Sequence, residues 1–178
     1  MGADGYLVKI KKGGTSTSFS GEGMSVVLEN KYQIDTIVKR VWDRDVEPIF
    51  YDNGEKIPSS DISVIDYLFG RVTFATSKSG TITVDGKYIP LTLIAGAKSY
   101  NLNQSRDVSL TISKYDDLTG AFMDIIRNRK AVLVEIQPGG KRDIARGWFV
   151  LDTDVEFSIE DLTFQLDASV KTSFNWGT

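Results

Sequence analysis

Near its C-terminus the chain reads Leu162-Thr163-Phe164-Gln165-Leu166-Asp167-Ala168-Ser169-Val170-Lys171. Apolar and polar side chains alternate through this run, and successive side chains of a β-strand point to opposite faces of the sheet. The run therefore predicts a strand with one dry face and one polar face.

The same alternation occurs earlier in the chain. Residues 100–103 and 108–113 alternate in this way, and 65–74 is rich in β-branched and aromatic residues. These patterns predict two half-buried strands and one long, mostly buried strand. Shorter strands are predicted at 6–12, 24–28 and 31–34, whereas 36–42 fits either strand or helix.

Three turn sequences separate predicted strands: Asp52-Asn53-Gly54, Asp85-Gly86 and Pro138-Gly139-Gly140. Asn-Gly and Asp-Gly pairs favour tight hairpins because both residue types tolerate a positive φ. Each of the three sequences therefore predicts a hairpin.

One segment has a helical period. Its apolar residues recur at the i, i+3, i+4, i+7, i+8 spacing of a single stripe, which predicts a helix over 117–129. The stripe consists of Leu118, Ala121, Phe122, Ile125 and Ile126.

The predicted fold class is mainly β with one α-helix: two packed antiparallel sheets, or a distorted barrel, flanked by that helix.

The chain has 178 residues, of which 41% are hydrophobic and 25% charged, so a single domain over 1–178 is expected. Small polar residues after Gly13-Gly14 predict a flexible N-terminal arm over 1–20. A β core is expected over 21–170, with a C-terminal tail over 171–178.

Composition argues against most catalytic classes. The chain has no cysteine and no histidine, so it lacks thiolates, the usual proton shuttle and the commonest metal ligand. No glycine-rich phosphate loop is present, and a net charge of -3 gives no general attraction to nucleic acid. We therefore expect no enzymatic activity and no cofactor. The sequence also predicts no signal peptide and no membrane span.

Two acidic runs, Asp43 to Glu47 and Asp152 to Glu156, place an acid at every second residue. Calcium loops have this spacing, but both runs lack the glycine and the distal acid that such loops require, so a metal site is not expected. If 148–159 is one strand, Asp152, Asp154 and Glu156 share a face. That face is either solvated sheet or, in a symmetric assembly, an acidic channel lining that repels a polyanion.

Tryptophan offers a second interpretation. An exposed aromatic platform would suit a carbohydrate-binding or adhesin sandwich. Trp148, however, lies inside the apolar run 147–151, which favours a core position. Trp176 follows the last predicted strand and must cover either its own domain or a neighbouring subunit.

Five segments of the chain belong together: Pro48 to Asp52, Ile65 to Phe74, Val84 to Pro90, Glu135 to Gly139 and Arg146 to Val150. With their order and the lone helix predicted before a Pro-Gly turn, they resemble the major tail tube proteins of long-tailed bacteriophages. The resemblance spans most of the chain. It implies two roughly orthogonal sheets flanked by a helix, and six subunits that close into rings stacked as a tube.

The resemblance also implies partners and a location. The subunit would bind copies of itself, a tape measure protein and other tail components in the virion tail, after synthesis in the host cytoplasm. DNA would pass through the lumen without specific binding. Other tail components on the same fold, such as a tail terminator, a distal-tail ring or a secretion-system tube, remain alternatives. Candidate contacts between subunits are Tyr6, Phe19, Asp52, Asn53, Phe174 and Trp176.

Overall fold

The computed structural model describes residues 6–98, 100–102, 108–113, 124–125, 128–137, 145–150, 155–157, 163–168 and 175–176. Within them the protein is mainly β, and its strands pair antiparallel, as predicted. The strands are β1 (Val8–Gly13), β2 (Thr17–Leu28), β3 (Lys31–Ile34), β4 (Ile49–Asp52), β5 (Glu55–Lys56), β6 (Ile62–Asp66), β7 (Arg71–Phe74), β8 (Ile82–Tyr88), β9 (Leu91–Ala97), β10 (Tyr100–Leu102), β11 (Val108–Ser113), β12 (Ala131–Ile136), β13 (Ala145–Val150), β14 (Val155–Phe157), β15 (Thr163–Ala168) and β16 (Asn175–Trp176).

The chain divides into two compact units. One comprises residues 14–91, and the other comprises 1–13 together with 92–178. The two ends of the 14–91 unit are joined, because the amide of Gly14 donates a hydrogen bond to the carbonyl of Pro90 at 2.7 Å. A single domain over 1–178 and an orthogonal packing of two sheets stay predictions.

The 14–91 unit is built on one seven-stranded sheet, in the order β5-β4-β8-β2-β3-β7-β6. The long strand β2 belongs to both halves: its first part pairs with β8 and its second part with β3. The register of β2 against β8 shifts between Phe19 and Glu22, and Gly21 there has φ +65°. Such bulges bend a strand and increase its twist, which lets the sheet curl around a core.

Aromatic side chains fill the core of this unit. The ring of Phe50 lies 6.1 Å from that of Trp42 and 5.8 Å, edge-on, from that of Phe74, and all three are buried. Each buried aromatic side chain removes a large apolar area from water, so this cluster is the main hydrophobic stabilisation of the curled sheet.

The other unit contains a five-stranded sheet in the order β16-β13-β12-β1-β9 and a four-stranded sheet in the order β10-β11-β15-β14. Strand β12 pairs with β1 on one side and β13 on the other, and its residues from Val132 onward are all buried. The alternating run at 108–113 forms β11, and residues 163–168 of the run at 162–171 form β15, which pairs with β11 over the full length of both strands. The two strand predictions are therefore confirmed for the residues that the structure describes.

Two predictions within the 14–91 unit are wrong. Asp85-Gly86 is not a turn but the middle of β8, where Gly86 pairs with Phe19 and a β-carbon on Gly86 would lie 3.1 Å from the Phe19 ring. The glycine is needed for close packing, not for a positive φ. Residues 65–74 are not one strand. They include the end of β6 and all of β7, which pair antiparallel, and the chain reverses over 67–70, where Gly70 has φ +61°.

The N-terminal segment of the chain also differs from expectation. Residues 8–13 and 17–20 of the predicted flexible arm form β1 and the start of β2, because their alternating apolar side chains, such as Val8 and Ile10, are buried.

Most of the predicted helix at 117–129 lies outside the described residues. Asp124 and Ile125 are helical and the carbonyl of Asp124 accepts from the amide of Asn128, but a full helix stays a prediction.

Candidate assembly surfaces

The β2–β3 hairpin exposes three consecutive apolar side chains. Val26, Val27 and Leu28 are 59%, 41% and 64% exposed, and Glu29 follows them in the turn. A half-buried strand alternates apolar and polar residues, so an exposed apolar run of three needs a functional reason. We call residues 26–29 the hairpin tip.

A second apolar projection lies on the 3-10 turn Ile37–Lys39, where Ile37 and Val38 are 70% and 73% exposed. We call it the apolar turn. Its position is fixed because the carboxylate of Glu22 accepts hydrogen bonds from the hydroxyl of Thr36 at 2.7 Å and from the ammonium of Lys39. These two hydrogen bonds hold the pKa of Glu22 below its ordinary value, and the bond from Lys39 has the larger effect.

A groove of about 570 Å³ lies between the two edges of the curled sheet. Its lining comes from β4 and β5 at one end of the strand order and from β6 at the other. The groove lining includes several apolar side chains, one acid, Glu47, and one base, Lys56. The remaining lining residues are Pro48, Ile49, Phe50, Ile57, Pro58, Ser59 and Ile62.

Asp85 fixes the bend in β2 that leads to the hairpin tip. One carboxylate oxygen accepts from the Gly21 amide at 2.7 Å and the Ser20 hydroxyl at 2.9 Å, and the other accepts from the Tyr51 hydroxyl at 3.2 Å. Burial raises the pKa of Asp85, but these hydrogen bonds outweigh it and hold the pKa below its ordinary value. Burial, and then the bond to Asp85, raise the pKa of Tyr51.

This arrangement makes the stability of the 14–91 unit dependent on pH. Because the pKa of Asp85 is lower in the folded than in the unfolded chain, its contribution is complete above the unfolded value of 3.8 and is lost as the pH falls through the folded pKa. We expect the free energy of unfolding to decline as the pH falls below about 4, and to decline less steeply in Asp85→Asn.

Urea unfolding followed by tryptophan fluorescence at a series of pH values measures both slopes. Glu55→Gln, at an exposed acid of the β4–β5 turn, is the matched control and keeps the wild-type slope. Equal slopes for wild type and Asp85→Asn would show that the hydrogen bonds to Asp85 do not favour its ionised form.

The predicted acidic stripe is only partly described. Strand β13 ends at Val150, and Asp152 and Asp154 lie outside the described residues. Glu156 lies in β14, opposite Gln165 of β15. β13 and β14 belong to different sheets, so the assumption of one strand over 148–159 is not supported by the described residues. The lumen-lining role stays a prediction.

Five of the six predicted contact residues take part in packing or pairing within their own unit. Phe19 is buried against Trp42, at a ring distance of 6.2 Å. Its role as a contact between subunits does not fit that position, because β2 turns the side chain into the core. The ring of Tyr6 lies so near Gly96 that a β-carbon there would be 2.5 Å away. Trp176 pairs with Ala145, and Phe174 lies outside the described residues.

The Asp52–Asn53 turn is the predicted β4–β5 hairpin, which is confirmed. Asn53 is exposed with φ +50°, and its side-chain oxygen accepts from the amide of Thr81 at 2.9 Å. Asp52 is half-buried beside it. The turn is thus held to its own unit, and Asn53 still presents an exposed surface.

Within the described part of the chain, no three acidic, histidine or cysteine side chains cluster closely enough to hold a metal ion. The same residues include no helix with the length and apolarity needed to cross a membrane. Comparisons of the chain with models of known protein families, with curated proteins and with solved structures give no significant match. Its function is therefore inferred from its own residues and geometry.

Sequence reasoning missed the hairpin tip, the apolar turn and the groove. The tip had a signal, because Val26, Val27 and Leu28 break the alternation directly before a turn. Ile37 and Val38 lie in the segment that fitted either strand or helix, so their exposure could not be assigned. The groove depends on the curl of the sheet, which brings together residues far apart in the strand order.

Proposed function

We propose that this chain is a structural subunit that assembles with copies of itself into stacked hexameric rings, as the tail tube of a long-tailed bacteriophage. The exposed apolar surface of the hairpin tip and the apolar turn carries the proposal. Covering such surface contributes roughly 25 cal/mol per Å² buried, which favours association. The tube is a conduit for DNA and needs neither a cofactor nor catalysis.

The free edges of the seven-stranded sheet support the same proposal. Strand β6 is an edge strand, and its sequence Ile62 to Asp66 contains no lysine or proline, the residues that commonly protect edges. A bulge lies near one end, between Ile62 and Val64. An edge of this kind is stabilised when a neighbouring subunit pairs with it or covers it.

Sugar binding is less well supported. Carbohydrate platforms need exposed aromatic rings, but among the side chains that the structure describes no aromatic residue is exposed. Trp42 is buried in the core, and Trp148 is half-buried in β13. The large exposed apolar side chains that are described are all aliphatic.

Electron microscopy and light scattering of the purified full chain test the proposal. We expect rings or hollow filaments whose amount rises with protein concentration, because association follows mass action. The double variant Leu28→Lys, Val38→Lys should shift the chain to monomer. Thr15→Lys with Ser18→Lys adds the same charge at exposed polar positions outside these surfaces and should leave assembly intact.

Closed rings that do not stack would favour a tail terminator or a distal-tail ring on the same fold. A wild-type chain that stays monomeric up to millimolar concentration, also with polyethylene glycol added, would contradict self-assembly.

A further inference from the structure

We infer that the groove receives the hairpin tip of a second copy of this chain, an inference that rests on the self-assembly proposed above. The groove volume of about 570 Å³ lies within the range of roughly 300–1,000 Å³ that binding sites occupy. Ile49 and Ile57 are among its apolar lining residues, and Val26 to Leu28 are the exposed apolar side chains that would contact them.

Two prolines define what kind of segment the groove can take. Pro48 precedes β4 and Pro58 follows β5, and both line the groove. Proline has no N–H, so it cannot donate a hydrogen bond to an added strand. The groove is therefore better suited to projecting side chains, such as those of a hairpin tip, than to a strand paired along its whole length.

Charge selects the hairpin tip over the apolar turn. Glu29 follows the apolar run of the tip, and Lys56 lines the groove; both are exposed, and neither forms an ion pair with another described residue. Lys39 of the apolar turn is already paired with Glu22. When the tip binds in the groove, Glu29 approaches Lys56, and the attraction between these opposite charges favours this docking orientation.

The tip that fills a groove must come from another copy. Asn30 holds the hairpin against its own unit: its carbonyl accepts from the Phe74 amide at 3.0 Å, and its side-chain oxygen accepts from the Ser77 hydroxyl at 3.1 Å. A tip on one copy and a groove on the next form a heterologous contact. Contacts of this type close into rings or extend into filaments, as the proposed tube requires.

The absence of cysteine allows a direct test on the full chain. Leu28→Cys and Ile49→Cys proteins are mixed under mild oxidation, and the mixed disulfide dimer is measured on non-reducing gels. Contact raises the local thiol concentration, so we expect this disulfide to form roughly tenfold faster than with the control mixture of Thr15→Cys and Ile49→Cys. Thr15 is exposed, as Leu28 is, but lies outside the hairpin tip and the apolar turn, which makes it a matched control.

Charge reversal supplies a second readout. Glu29→Lys and Lys56→Glu should each weaken assembly by roughly threefold, and the double variant should restore it. The control is the double variant Glu55→Lys, Lys56→Glu, which places the compensating charge outside the proposed contact and should not restore assembly. Glu55 is exposed next to Lys56 but does not line the groove. All of these side chains are exposed, and circular dichroism checks that each variant folds.

The outcomes separate the inference from the proposed function. Rings or filaments without the selective disulfide, or without rescue in the double variant, would overturn the tip-in-groove contact and leave self-assembly standing. An effect of Lys56→Glu with none of Glu29→Lys would mean that the groove holds another segment, and would also overturn it. If the wild type does not assemble and the Leu28→Cys and Ile49→Cys proteins form no selective disulfide, both proposals fail.

Discussion

Replacing Glu135 with alanine is expected to lower the free energy of unfolding by about 3–5 kcal/mol. Glu135 lies in the middle of the five-stranded sheet, and only 5% of its side chain is exposed. Its Oε1 accepts from Nζ of Lys11 at 3.0 Å and from Nε of Arg146 at 3.1 Å, on the strands at either side. Alanine would leave both cations largely buried without this counter-charge.

An exposed ion pair provides the control. Asp124 and Lys130 are 3.5 Å apart with more than half of each side chain exposed, and Asp124→Ala should cost no more than about 1 kcal/mol. Urea unfolding followed by tryptophan fluorescence compares the two variants. If Glu135→Ala costs as little as Asp124→Ala, the three charges contribute nothing as a buried network.

A triple replacement distinguishes the loss of charge from damage to the sheet. Lys11→Met, Glu135→Leu and Arg146→Met remove all three charges and keep similar volumes. Replacing a complete buried ion network with apolar side chains is often neutral or stabilising. We therefore expect the triple variant to be more stable than Glu135→Ala alone.

The strands were predictable where local sequence and burial agree. In 162–171 every second residue is apolar, and in β1 the alternating Val8 and Ile10 are both fully buried. A period of two is a property of the strand itself, so it can be read without knowledge of the neighbours. The antiparallel β-rich class follows from it.

The prediction failed where a glycine was assigned a role from its neighbours in sequence. Asp85-Gly86 has the composition of a tight turn, but Gly86 is required by the ring of Phe19, 67 positions earlier in the chain, on the paired strand. Asp85 is required by the bulge at Gly21. Contacts of this kind exist only after two distant strands have paired, so the turn sequence alone could not reveal them.

The assembly surfaces were missed for a related reason. Exposure of Leu28 or Val38 depends on what the rest of the chain fails to cover, which is a property of the folded surface. Phe19 illustrates the converse, because it was predicted as a contact between subunits and its side chain is buried. Sequence indicated an assembling β protein, whereas the candidate contacts come from the geometry.

Gly70→Ala is expected to lower the free energy of unfolding by about 2–5 kcal/mol. Gly70 has φ +61°, a conformation that costs other residues roughly 1–2 kcal/mol. A β-carbon there would lie 2.8 Å from Cγ2 of Ile34 and 2.9 Å from the carbonyl oxygen of Arg40, and such overpacking costs roughly 1–3 kcal/mol more. The backbone of Arg40 cannot easily move away from this β-carbon, because Arg40 directly follows the apolar turn.

Gly54→Ala separates the two contributions to this loss. Gly54 has φ +85° in the β4–β5 turn, but a β-carbon there meets nothing within 4 Å, so only the conformational cost of roughly 1–2 kcal/mol applies. Urea unfolding of both variants gives the difference, which measures how closely the β6–β7 turn packs on Ile34 and Arg40. Equal losses in the two variants would contradict that close contact.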